Sequence, residues 1–162
     1  MAEDSTNTQA PYQAPTPNPR LKTLDRLVGT WNVSGPSISG QVRFEWMDGG
    51  FFLMQHVDMV HDEHTIKGIE IIGFERGWEV MMGQQEVDPA TQDITSHWFD
   101  NAGDTFTYTW EIEGDTLTIW GGERGSPAYY QGKFSADGNT NSGAWVYPGG
   151  GGYESTMTRV GK

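Results

Sequence analysis

The side chain with the clearest chemical potential is Glu70, set in IKGIEIIGF. On a regular strand Ile66, Gly68, Glu70, Ile72 and Phe74 share one face. A carboxyl among isoleucines is desolvated, which raises its pKa and suits it to general acid or base work. Two bland alternatives stand beside that one: a cross-strand ion pair with Arg43, or a bulge at Gly68 that turns the carboxyl outward. The run QHVDMVHDEH gathers His56, His61 and His64 with Asp58, Asp62 and Glu63. It has no recognised zinc spacing, and His61 to His64 reads as a polar hairpin tip, so no metal site is expected. His56 follows Phe52 and Met54 in alternation, and His97 alternates with Trp98. Either imidazole, if it faces a lumen, could shuttle a proton or hold a ligand, the ordinary alternative being a structural histidine.

Other chemistries find no residues. The chain has no cysteine, and it has no Gly-x-Ser-x-Gly. Ser34, Ser37 and Ser39 lie in a turn region with no histidine beside them. GGERGSP and PGGGGY have neither a phosphate-binding lysine nor a following helix, so they read as loops. What is abundant is aromatic surface: seven Trp, seven Phe and six Tyr among 162 residues. Phe44, Trp46, Phe106, Tyr108, Trp110, Tyr129 and Tyr130 could line a cavity, with Met54, Met81 and Met82 as adaptable apolar surface. The same residues would serve equally as a filled core.

Composition narrows the partners. Asp and Glu outnumber Lys and Arg 22 to 10, a formal charge of −12. Phosphate backbones and anionic lipid surfaces would be repelled, so neither nucleic acid nor membrane is an expected partner. No apolar run approaches the roughly 20 residues of a membrane span, and MAEDSTNTQA lacks a basic start and an apolar signal core. A cytoplasmic location is the expectation, and a homo-oligomer is open.

The elements that must position these residues are mostly strands. Residues 1–19 carry four prolines and one large apolar group, Tyr12, and read as a disordered Pro-rich arm. In RLKTLDRLV, Leu21, Leu24, Leu27 and Val28 recur at intervals of three and four, a short helix that Gly29 stops. From residue 29 the period becomes two. Turn signals then recur about every eight to twelve residues, among them Asp48-Gly49-Gly50, Glu75-Arg76-Gly77, Asp88-Pro89-Ala90 and Glu113-Gly114-Asp115, and they bound about ten strands plus the first. In TFTYTWEI, Phe106, Tyr108, Trp110 and Ile112 alternate with Thr and Glu. No helix-period segment after residue 29 could cover a sheet, so the strands must bury one another. Consecutive hairpins favour closure, since a closed barrel removes exposed edges. The expected fold is all-β: one antiparallel up-and-down barrel of about ten strands over residues 20–162, with a short N-terminal helix. A barrel wider than eight strands tends to leave internal space.

The helix, Gly29-x-Trp31 on the first strand, and a last strand with Arg159 resemble the lipocalin and fatty-acid-binding superfamily, the calycins. There the first-strand Trp packs against a basic residue of the last strand, a role the resemblance assigns to Trp31 and Arg159 as a barrel-closing pair. The strings LVGTW, MDGGFF, IIGFE, HWFDNAGD, GDTLTIWG and TRV look like the lipocalin-like family of unknown function catalogued as DUF1579. That family is distantly similar to nitrobindin-type barrels, which hold haem iron through a histidine near the C-terminal strands. Residues 98–162 here contain no histidine, so haem is a disfavoured alternative and no cofactor is expected.

The expected function is binding of a small, mostly apolar molecule in the lumen without catalysis. Arg43, Phe44, Trp46, Met54, His56, Glu70, His97, Tyr108, Trp110 and Tyr129 are the candidate contacts. The alternative is a cofactor-free isomerase or cyclase using Glu70 or His56 as acid or base.

Overall fold

The computed structural model describes residues 14–161. Residues 1–13 of the expected arm lie outside the described residues. Residues 14–18 have no regular structure, and a 3₁₀ helix starts at Pro19. The helix spans Pro19–Leu27, with the Asn18 side chain accepting from the Arg20 amide. Its buried residues are Leu21, Leu24 and Leu27. A spacing of three is the repeat of a 3₁₀ helix, so these leucines stack on one face, whereas Val28 falls at the cap.

Ten strands follow: β1 (Gly29–Ser34), β2 (Ile38–Trp46), β3 (Phe52–His61), β4 (His64–Gly73), β5 (Ile94–Asp100), β6 (Thr105–Glu113), β7 (Thr116–Gly121), β8 (Tyr129–Phe134), β9 (Thr140–Val146) and β10 (Tyr153–Gly161). Each pairs antiparallel with its neighbour in sequence, and β1 pairs with β10 to close the barrel. The meander and its closure are as expected. One segment departs from expectation: WEVMMGQQEV, bracketed by turn signals, is no strand. It holds a single helical turn, α1 (Trp78–Met81), inside the β4–β5 connection. Trp78 there is 74% exposed, with Met81 and Met82 also exposed. These two methionines are therefore outside the barrel and not part of its lining. No helix among the described residues is long and apolar enough to cross a membrane.

The barrel has two unlike ends. At the base the 3₁₀ helix lies across the opening, and Trp31, fully buried, donates its indole N–H to the Leu27 carbonyl at 2.8 Å. The Arg159 guanidinium stands 4.1 Å from the centre of the Trp31 ring. It also donates to the carbonyls of Val28 and Arg26. Trp46 ties the helix from the other side, its indole N–H donating to Asp25 at 2.8 Å. At the opposite end the connections at 35–37, 62–63, 101–104, 122–128 and 147–152 surround a mouth. The β3–β4 turn is the tightest. Asp62 and Glu63 both take positive φ, 48° and 71°, as a two-residue hairpin of the favoured twist requires.

Candidate functional site

Between base and mouth lies a cavity of about 570 Å³. This falls within the roughly 300–1,000 Å³ of small-molecule sites. Alternation within the strands decides its lining: Val42 and Phe44 on β2, Gln55 and Val57 on β3, Glu70 on β4, Trp98 on β5 and Tyr108 and Trp110 on β6 face it. The parity on β4 is that of a regular strand. Gly68 is no bulge. It pairs in register with Val57 and Asp100, and the Trp98 ring occupies the space a Cβ would need, 2.5 Å from it.

Glu70 is the centre of the site's electrostatics. It is 5% exposed, and its Oε2 has no hydrogen-bond partner. Burial pushes its pKa up to about 8, against which a hydrogen bond from Ser96 acts to favour the charged form. The Ser96 hydroxyl oxygen itself accepts from the Trp110 indole N–H at 2.9 Å, which leaves its proton for the carboxyl. Cross-strand neighbours at Glu70 are Gln55 and Trp98. The Arg43 pairing does not occur: Arg43 is on the outer face, 2.7 Å from Glu45. At neutral pH Glu70 is therefore mainly a neutral acid, able to donate one hydrogen bond and accept others.

The facing wall is aromatic. Tyr108 meets Trp145 edge-on at 6.0 Å, Tyr130 tilts against Trp145 at 5.7 Å, and Trp145 stacks with Tyr147 at 6.0 Å. Burial raises the pKa of Tyr108 above that of a free phenol, with the nearby Glu70 charge adding to it. The Tyr130 hydroxyl donates to Asn141 at 2.6 Å, at the fully buried end of β9. At the mouth the His61 ring sits 4.3 Å from that of Tyr153.

The candidate contacts divide by strand face. Phe44, Glu70, Tyr108 and Trp110 meet on the lumen, and Trp46 is half-buried at the base on Asp25. Arg43, Met54, His56, His97 and Tyr129 are not with them. On β3 the lumenal set is Leu53, Gln55 and Val57, so Met54 and His56 point outward. His56 pairs there with Glu45 at 2.9 Å. His56 and Arg43 together hold the Glu45 carboxyl below its usual range. His97 alternates with lumenal Ser96 and Trp98 and binds Glu75 on the outside. Tyr129 precedes inward Tyr130 and pairs with Trp120 on the outer face. His61 is at the hairpin tip as expected, paired with His64 across the turn, but it is half-buried there and lines the mouth. Gln55, Trp98, Trp145, Tyr147 and Tyr153 are lumenal residues that the sequence reasoning missed. For the last three the signal was there, since WVY and YES flank the glycine-rich turn with aromatics at alternate positions.

Among the described residues no group of three or more His, Asp or Glu side chains is placed to hold a metal ion. The imidazoles that line the cavity, His61 and His64, are both at its mouth.

Fold and site together define a class: an antiparallel up-and-down β-barrel consistent with the lipocalin-like type, shut at one end and holding a ligand-sized cavity. Set against known proteins, the chain matches no family and no curated protein.

Proposed function

We propose that this barrel binds a small, mostly apolar molecule in its lumen, with no catalysis. The observation behind this reading is the cavity of about 570 Å³, walled by aromatic and aliphatic side chains and holding one buried carboxyl with a partnerless oxygen. A few convergent polar groups in an apolar cavity are the usual pattern of a site that orients a ligand. Glu70 and Gln55 would fix the polar end, and Tyr108, Trp98 and Trp145 would hold the body. Titration with the neutral dye Nile red tests it. Fluorescence should rise and saturate with the wild-type chain and stay flat with Val57→Trp, which fills the lumen. A flat response from the wild type, together with a bare protein mass by native mass spectrometry, overturns the reading.

A second reading rests on Glu70 alone. A carboxyl that titrates near 8 in an apolar cavity is poised to give and take a proton at neutral pH, as a cofactor-free isomerase or cyclase would require. His56 has no part in it, being outside. If a bound compound is turned over, Glu70→Gln should abolish turnover and leave affinity intact.

A further inference from the structure

We infer that the lumen is built for a hydrophobic cation, an alkyl or aryl ammonium, whose nitrogen pairs with Glu70 while its carbon body lies among the aromatic rings. This deepens the proposed binding reading and rests on it. Three independent observations point the same way.

The first is the sign of the interior. Among the described residues no lysine or arginine lines the cavity, and the Arg159 guanidinium is committed to Trp31 and two carbonyls at the base. A ligand carboxylate deep in the lumen would meet no lysine or arginine, the imidazoles of His61 and His64 being at the mouth, so a buried anion is disfavoured. The second is Glu70 Oε2, a buried carboxyl oxygen with no hydrogen-bond partner. Such an atom carries a desolvation penalty that a ligand N–H removes. The third is the wall around it. Tyr108, Trp145, Tyr147 and Tyr153 line the same cavity, and an aromatic ring attracts a cation that lies over its face. The entry agrees with the interior, since Asp100 and Asp104 stand at the mouth and the chain as a whole is at −12. A field of this sign draws cations toward the opening.

Binding an ammonium has a proton balance. Near neutral pH Glu70 is largely protonated; a cation at Oε2 favours the carboxylate, so the proton leaves to solvent as the cation arrives. The groups facing Glu70 from the packed elements are Gln55 on β3, Ser96 and Trp98 on β5 and Tyr108 on β6. Of these only Tyr108 is titratable, and its burial keeps it neutral. Asp100 lies farther toward the mouth, held by the Trp98 indole and the Ala102 and Asp104 amides. His56 and His97 are on the outer face, and His61 and His64 line the mouth rather than the strands beside Glu70, so Glu70→Gln separates their share of any proton exchange from that of Glu70. One proton, from Glu70, is therefore the expected exchange.

Calorimetric titration with octylamine, 1-octanol and octanoate separates the possibilities. Octylamine should bind at least about tenfold tighter than octanol, which is on the order of 1.4 kcal/mol. Octanoate should be weakest. In Glu70→Gln the amine preference should collapse while octanol affinity is retained. Repeating the amine titration of the wild-type chain in phosphate and in Tris at about pH 7 reads proton release without any variant; a release approaching one proton is expected, and none with octanol. Equal or tighter binding of octanoate or octanol, an amine preference that survives in Glu70→Gln, or amine binding without proton release overturns the inference and leaves the binding reading standing. If none of the three chains and no Nile red enters the lumen, the binding reading itself falls.

Discussion

Glu70 couples the stability of the fold to pH in a direction opposite to that of most carboxylates. Its pKa rises from 4.5 to about 8 on folding, so between those values the folded chain holds a proton that the unfolded chain has released. Stability from this group is full below about pH 4.5, falls as pH rises, and levels off above about 8. The span of the shift corresponds to as much as about 5 kcal/mol, an upper bound for a group in so apolar a site. Urea unfolding from about pH 5 to 9 should show wild-type stability declining, and Glu70→Gln should flatten that decline, gaining several kcal/mol at the alkaline end. Parallel profiles for the two proteins would mean that the carboxyl is not desolvated. At the base, Arg159→Met should cost about 2–3 kcal/mol, combining lost carbonyl hydrogen bonds with the lost cation over Trp31. Arg159→Lys should recover only part of it, because one ammonium cannot reach the carbonyls of both Val28 and Arg26 while lying over the ring. Chemical denaturation of the two variants gives both numbers.

The strands explain which of these residues the sequence revealed. On β6 the apolar and polar residues alternate strictly, so the inward placement of Tyr108 and Trp110 could be read directly. Ile66, Glu70 and Ile72 on β4 were equally plain once no bulge intervened. β3 was ambiguous, since Phe52, Leu53, Met54 and Val57 put apolar groups on both faces, and the outward series carrying His56 looked as core-like as the inward one. A polar residue, Gln55, occupies the lumenal phase there, which inverts the usual expectation and is itself a mark of the site. On β5 the inward residues Ser96 and Trp98 flank His97, and no pattern of apolar residues separates the phases. WEVMMGQQEV failed for another reason: turn signals at both ends suggested a strand, but the segment has no partner strand and coils locally. Gly68→Val should destabilise by about 2 kcal/mol or more, because the Trp98 ring and the Phe99 carbonyl already fill the space a side chain would take. Glu63→Gly should stabilise by about 1 kcal/mol, since it relieves a positive φ that a glutamate adopts at a cost. Thermal melts monitored by tryptophan fluorescence report both.

For the molecule as a whole, closure and charge act together. The β1–β10 seam removes the free edges that a ten-strand meander would otherwise expose, and the helix and the Trp31–Arg159 contact seal only one end. The other end stays open beneath an acidic rim, so access to the cavity has one direction. The charge of −12 strains the compact state by self-repulsion. Raising sodium chloride from about 20 to about 500 mM should therefore raise the melting temperature by a few degrees. A decrease would mean that attractive surface pairs such as those of Arg124 with Asp93 and Glu111 outweigh the net repulsion.

The seam also fixes how the barrel would answer a mechanical load. β1 begins and β10 ends at the base, where Thr30 faces Gly161 and Trp31 faces Arg159. A pull between Gly29 and Gly161 thus separates two antiparallel strands from the same end. Hydrogen bonds perpendicular to the strands then break rung by rung, beginning at the irregularity between Thr30 and Trp31. Drawn apart this way the barrel opens as a zipper, at low force, with the Trp31–Arg159 contact as its first latch.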